Sequence, residues 1–170
     1  MTENAKVETY RFADDGVVPN NPALPVVLYR AALAGESGSA IAARFAAHRW
    51  PDAWANGIYA HHHYHANAHE VLAIAAGWVR VRLGGERGRT LELAAGDVVA
   101  IPAGVAHKRE AASPDLLVIG AYPDRQRPDI QLAEAAAHDA SLFDITAVAL
   151  PAADPVTGRA GPLLDCWRRG

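Results

Sequence analysis

The sequence predicts an all-β fold, a small antiparallel barrel or jelly roll with one or two short flanking helices. Residues 57 to 122 consist of brief runs in which apolar and polar side chains alternate, and glycine-containing turns separate nearly all of these runs. With 170 residues, 51% of them apolar, the chain can bury one good core. We therefore expect a single domain.

The first part of the chain, residues 1–56, is expected to form an N-terminal arm, an edge strand and a short helix. The apolar run Val26–Tyr29 follows a turn-forming stretch and predicts the edge strand. Residues 39–48 carry Ile41 and Phe45 at helical spacing and predict an amphipathic helix, with Ser37 or Ser39 as its cap.

The barrel core is expected to span residues 57–122. Its predicted strands cover residues 57–65, 70–76, 78–83, 90–93, 97–101, 106–110 and 116–122. Residues 123–170 are expected to form a second helix over residues 130–140, with Asp129 as its cap, and a loop-like tail packed on the barrel or on a partner chain.

Composition narrows the classes of partner and of site. The formal charge is −3 and the basic residues are scattered, so we expect no nucleic-acid partner. The first thirty residues lack a basic start followed by an apolar block, and no apolar run reaches membrane-spanning length, so we expect a cytoplasmic protein that does not bind membranes. Cys166 is the single cysteine, which excludes an intrachain disulfide and leaves histidines and carboxylates as metal ligands.

The histidines are unusually concentrated in one segment of the chain. Five of the eight histidines fall within nine residues, at His61, His62, His63, His65 and His69. Alternate side chains of a strand share a face, so His63 and His65 point the same way and can offer two imidazoles to one ion. His61 has the same parity and is a candidate proton carrier at the mouth of the barrel.

The strand that follows this cluster can present either His69 or Glu70 to the interior. Glu70 shares its face with Leu72 and Ile74, and barrel interiors favour large branched side chains, so Glu70 is predicted to point inward. Two histidines and one carboxylate form a facial set with open positions, which suits iron, manganese and similar divalent ions. A fourth ligand could complete the set.

Two spaced motifs in this region resemble those of the cupin family. The first is Gly57, five residues, His63-Tyr64-His65, four residues, Glu70, six residues and Gly77; the second is Gly96, five residues, Pro102-Ala103-Gly104, two residues and His107. The resemblance covers about residues 57 to 110 and extends to a group of single-domain bacterial cupins. One departure is Ala111, where the family often has asparagine.

The resemblance implies a double-stranded β-helix, the cupin jelly-roll barrel, that binds a divalent transition metal, Fe, Mn, Ni or Zn, on His63, His65, Glu70 and His107. It further implies a metal-dependent enzyme, a dioxygenase or an isomerase or lyase, that acts on a small organic molecule. The alternative is a cupin that binds or senses a small molecule without catalysis. The resemblance also implies a homodimer, with Val26–Tyr29 or the tail at the interface.

Three arginines on predicted strands could hold a carboxylate of the substrate, or could simply solvate the sheet. Arg109 shares its parity with His107, whereas Arg80 and Arg82 share a face with Trp78. The sequence leaves the choice among the three open.

Overall fold

The computed structural model describes residues 5–168. Its strands are β1 (Val7–Tyr10), β2 (Val26–Tyr29), β3 (Trp54–Asn56), β4 (His63–Tyr64), β5 (Glu70–Ala76), β6 (Trp78–Leu83), β7 (Arg89–Ala94), β8 (Val98–Ile101), β9 (His107–Ala112), β10 (Leu117–Ala121) and β11 (Gln131–Leu132). Its helices are α1 (Gly38–Ala47), α2 (Ala135–Ala147) and α3 (Pro162–Cys166). Within this range no helix has the length and apolar character that crossing a membrane requires.

The strands form two antiparallel sheets of jelly-roll type, which confirms the all-β prediction. One sheet has the order β1-β2-β8-β5-β10-β3 and the other the order β11-β4-β9-β6-β7. The predicted barrel is not closed, because over the described residues the backbone ladders form two separate sheets. The architecture is therefore a sandwich whose two sheets enclose a core.

The core between the sheets follows from the alternation along the strands. In β6, Val79 and Val81 point inward and are buried, whereas Trp78 and Arg80 are exposed. β5 is buried on both faces. Leu72 lies in the core between the sheets, and the side chains on the opposite face of β5 belong to a second cluster of buried side chains. Burying such side chains contributes roughly 1.5–3 kcal/mol each.

The outer face of the six-stranded sheet is covered by α1 and by the C-terminal tail. Ile41 and Phe45 of α1 are fully buried there, and the Ser37 hydroxyl accepts a hydrogen bond from the Ala40 amide at 3.2 Å, as expected for the cap. Trp167 packs into the same cluster and donates from Nε1 to the Pro25 carbonyl at 2.8 Å. The tail is therefore ordered by burial of its own apolar side chains.

Two predicted strands differ from those observed. Val26–Tyr29 is not an edge strand, because it pairs with β8 on one side and with β1 on the other, and all four of its residues are buried. β1 was not predicted as a strand, because its residues were assigned to the N-terminal arm. In the strand predicted over residues 57–65, only His63–Tyr64 is paired as a strand, so the preceding residues form a loop.

The second helix begins later than the sequence predicted. It spans Ala135–Ala147, and residues 131–132 of the predicted helix instead pair with β4 as a strand. Asp129 is not its cap: Glu134 occupies that position and makes no side-chain capping hydrogen bond. The apolar face of α2 packs over β4, where Tyr64 and Ile145 are buried together.

Candidate metal centre

Three histidines and one glutamate meet between the two sheets. β4 and β9 pair with His63 directly opposite His107, and their ring centroids lie 4.2 Å apart. His65 follows β4, and Glu70 begins β5 in the other sheet. All four residues are between 2% and 7% exposed, and one ring nitrogen from each histidine lies within 4.8 Å of the others.

Each of the three imidazoles is held by a hydrogen bond from its Nδ1 to a backbone carbonyl. His63 Nδ1 donates to the His61 carbonyl at 3.2 Å, and His107 Nδ1 to the Val105 carbonyl at 3.1 Å. His65 Nδ1 donates to the Asp129 carbonyl at 2.5 Å. A carbonyl only accepts, so each Nδ1 carries a proton, and a ring that is neutral has its lone pair on Nε2. These rings are therefore oriented as metal ligands are in proteins.

The carboxylate of Glu70 lies against the Nε2 atoms of two of these rings. Its Oε1 is 3.1 Å from His107 Nε2 and 3.4 Å from His65 Nε2. Three imidazole nitrogens within 4.8 Å of one another, with the Glu70 carboxylate beside two of the rings, form a donor set that suits Fe, Mn, Ni or Zn. The residues present therefore fit a divalent transition metal ion.

Burial and neighbouring charges shift the pKa values of Glu70, His63 and His65. Burial, which would raise the pKa of Glu70, is outweighed by His65 and His107, so that pKa lies well below its usual range. Burial, reinforced by His107, lowers the pKa of His63 to about 3. For His65 burial lowers the pKa, but the charge of Glu70 outweighs it and the net shift is upward. At neutral pH Glu70 is a carboxylate and His63 is neutral.

A cavity of about 550 Å³ opens on these four residues. Residues 54–60 and the segment around Pro128 and Ile130 form much of its wall, and Leu72 and Ile58 add apolar surface. Arg109 brings a positive charge to the lining. This volume lies in the range of small-molecule sites, and the lining combines apolar side chains with polar and charged ones.

Tyr122 places a hydroxyl on the wall of the cavity beside Glu70. Its ring packs edge-on to His65 with centroids 5.6 Å apart, and its hydroxyl accepts a hydrogen bond from Trp54 Nε1 at 3.2 Å. Burial, together with the charge of Glu70, raises the pKa of Tyr122 well above its usual range. Gly120 makes this arrangement possible, because a Cβ there would lie 2.1 Å from the Trp54 ring.

The other histidines of the cluster lie outside the cavity lining. His61 is exposed and stacks on Tyr59, a lining residue, with centroids 5.2 Å apart, so it sits just beyond the wall. Its role as a proton carrier stays a prediction. His62 contacts Glu86, with Nε2 2.6 Å from Oε1. His69 is buried on the opposite face of β5, where its Nδ1 accepts from the Ala103 amide at 2.9 Å and its ring packs on Trp167.

Two contributors to the site were missed at the sequence level. Tyr122 has the parity of Val118, which is buried between the sheets, so the alternation along β10 could have placed it on the inner face. Asp129 acts through its backbone carbonyl, and no local pattern predicts which carbonyl faces a distant imidazole. Its contribution required the tertiary structure.

The chain matches a protein-family model and a protein of known sequence. A family model described as a cupin domain matches residues 54–119. The chain is 39% identical over 163 residues to YjlB of Bacillus subtilis (strain 168), an uncharacterized protein, and the match covers 95% of this chain and 97% of that protein.

Two larger proteins of known structure are also similar. Recombinant pro-11S globulin of pumpkin matches 47% of this chain at 26% identity with a TM-score of 0.36, and the match covers 22% of the globulin. A mutant of Bacillus subtilis oxalate decarboxylase matches 78% of this chain at 19% identity with a TM-score of 0.38, and the match covers 29% of the enzyme. The matches thus span less than a third of each of these two proteins.

Proposed function

The chain belongs to the cupin family, and on that premise we propose that it is a metal-dependent enzyme acting on a small organic molecule. His63, His65, Glu70 and His107 hold one divalent transition metal ion, with Fe, Mn, Ni and Zn as the candidates. The substrate occupies the cavity of about 550 Å³ that opens on these residues.

The observation that carries the proposal is the common orientation of the three imidazoles. All three Nδ1 atoms are engaged by backbone carbonyls, so Nε2 is the nitrogen of each ring that would bind an ion beside the Glu70 carboxylate. Three imidazoles that served only to pack the core would not need the same tautomer. Their burial also favours a function, because grouping titratable groups between two sheets is costly without a partner.

The reaction classes we propose are dioxygenation and an isomerase or lyase reaction next to a carbonyl. A bound ion supplies a Lewis acid and a template for a chelating substrate. The apolar part of the wall, including Leu72 and Ile58, offers a surface for the hydrocarbon part of the substrate. The Tyr122 hydroxyl lies where it can donate a hydrogen bond to a substrate oxygen or to Glu70, and His61 is the proposed carrier of a proton at the mouth of the cavity.

Metal content tests the central claim. Protein purified without a histidine tag is incubated with Fe(II), Mn(II), Ni(II) and Zn(II), desalted and measured by elemental analysis, and about one equivalent of at least one ion is expected. His63→Ala and Glu70→Ala are expected to reduce that content sharply, whereas the matched control His62→Ala is not, because His62 faces Glu86. Less than a tenth of an equivalent of every ion, or equal losses in all three variants, would refute the proposal.

Oxygen consumption separates the reaction classes. Each metal form is mixed with a panel of β-diketones, thiols and hydroxy acids, and uptake of oxygen supports a dioxygenase, whereas turnover without uptake supports an isomerase or lyase. Full metal content with no turnover of any compound would instead support the binding or sensing alternative. The same preparations test the proposed homodimer by light scattering coupled to size-exclusion chromatography, in which a monomer mass would contradict it.

A further inference from the structure

We propose that the cavity is selective for small organic anions, and that Arg109 is the residue that binds their carboxylate group. The inference rests on the proposed function insofar as the anion shares the cavity with the candidate metal centre. It adds a substrate class and a specificity-determining residue that the metal-binding motifs do not supply.

Arg109 is carried into the cavity by the strand that also carries His107. The two residues are two positions apart on β9, so they share a face and their Cα atoms are about 7 Å apart along the strand. Arg109 is half-buried and lines the cavity, and its amide donates to the Tyr59 carbonyl at 2.8 Å, which ties the cavity wall to this point of the strand. Its backbone position is therefore well determined.

A β-bulge directly after Arg109 ends the polar part of the inner face. Val81 pairs with Arg109 and the preceding Arg80 with Ala111, so one extra residue lies in β9 at this point. The side chain of that residue, Glu110, contacts Arg82 on the outer face, and Ala112 packs against the core between the sheets. The inner face of β9 thus changes from polar to apolar at the bulge, and bulges of this kind are common beside functional sites.

Arg109 differs from the other two candidate arginines in having no ion-pair partner. Arg82 contacts Glu110 at 2.6 Å and Arg80 contacts Glu92 at 3.6 Å, both on the outer face of the sheet. Between residues 5 and 168, no carboxylate lies within 4.0 Å of the Arg109 guanidinium. The carboxylate that lines the same cavity, Glu70, is turned to the histidines.

A half-buried guanidinium without a carboxylate partner is suited to an anionic ligand. Its fork of N–H groups matches a carboxylate in bidentate geometry, and hydrogen bonds between charged groups are stronger than neutral ones. The short separation from His107 along β9 favours a compact molecule with its carboxylate on Arg109 and a second oxygen donor at the metal centre. The expected ligands are therefore short dicarboxylates, hydroxy acids and oxo acids.

Calorimetric titration of the full chain, in its Mn(II)-loaded and metal-free forms, tests this proposal. The probes are malonate, malate and succinate, with the uncharged malonamide and succinamide as controls. At least one of the anions is expected to bind wild-type protein with an affinity at least about 10-fold higher than that of the diamides. Arg109→Met is expected to lose about 10- to 100-fold of that affinity and Arg109→Lys less, because lysine keeps the charge but not the fork.

The matched control is Lys108→Met, which removes one positive charge from the neighbouring position on the outer face, where Lys108 lies 3.5 Å from Glu86. It is expected to change anion affinity less than about 2-fold. Equal losses in the Lys108 and Arg109 variants, unchanged affinity in Arg109→Met, or anions binding no tighter than diamides would each overturn the proposal. Metal content, measured on every variant, is expected to stay at the wild-type level. Arg109-dependent binding by the metal-free form would support the anion site even if the metal proposal failed.

Discussion

Replacing Asp129 with alanine should weaken the metal centre although the Asp129 side chain does not belong to the proposed ligand set. Its carboxylate Oδ1 accepts hydrogen bonds from the Ala66 amide at 2.8 Å and from the Asn67 amide at 3.2 Å. Its own amide donates to the Asn67 side chain at 2.8 Å. These contacts fix the peptide whose carbonyl accepts the Nδ1 proton of His65. The side chain of Asp129 is thus a positioning group for one imidazole.

The size of the effect follows from the contacts that would be lost. Asp129→Ala leaves the buried Ala66 amide without its acceptor, and hydrogen bonds to charged groups contribute about 1.5–3 kcal/mol. We expect a loss of roughly 1–3 kcal/mol in the free energy of unfolding of the metal-free protein. Mutation of a group that orients a metal-ligating histidine typically lowers metal affinity by about 10- to 100-fold, and we expect a loss of affinity of that size here.

Two measurements check this prediction. Urea unfolding of the metal-free protein gives the change in stability, and titration with Co(II) against a competing chelator gives the change in metal affinity. The matched control is Asp124→Ala, which removes an exposed carboxylate paired with Arg49 at 3.3 Å, and little change is expected in either measurement. Wild-type affinity for Co(II) in the Asp129 variant would refute the reasoning, because His65 would then be oriented without its tether.

Two further substitutions test other parts of the fold. Gly120→Ala places a methyl group 2.1 Å from the ring of Trp54, so the indole must move, and a destabilisation of about 1–3 kcal/mol is expected in urea unfolding; wild-type stability would contradict the close approach. His138→Ala is expected to destabilise the protein more at low pH than at high pH. Contacts with Asp139 and with Asp14 raise the pKa of His138 above 6.5, so its stabilising effect is complete below that pH and disappears as the pH rises through the raised pKa. A pH-independent difference in melting temperature would exclude this contribution.

Much of the sandwich could be predicted because strand formation in this chain follows local alternation. The predicted bounds of β5 and β6, residues 70–76 and 78–83, agree with the observed strands. A turn at Pro102-Ala103-Gly104 joins two of the predicted strands, residues 97–101 and 106–110, and Gly104 takes a φ of +91° there, a conformation that other residues rarely adopt. The same alternation separated Glu70 from His69, and the two side chains do lie on opposite faces of β5.

The errors arose where structure depends on distant partners. β1 is a strand because it pairs with β2, and its own sequence is short and polar. Residues 131–132 form a strand with β4 and do not join the helix that follows, because the backbone of β4 offers hydrogen-bonding groups there. The alternation along single strands also could not show that the two sheets do not close into one barrel. Closure requires a continuous ladder of backbone hydrogen bonds between strands, and single strands contain no information about that ladder.

By itself the sequence determined the fold class, the family resemblance and the four residues proposed as metal ligands, because these depend on residue type and on spacing along the chain. The tertiary structure decided how those residues are oriented and what surrounds them. It sets His63 opposite His107, ties three Nδ1 atoms to backbone carbonyls, and leaves Arg109 unpaired beside the cavity while Arg80 and Arg82 have partners. Such contacts join positions far apart in the chain, so they exist only once the two sheets have packed together.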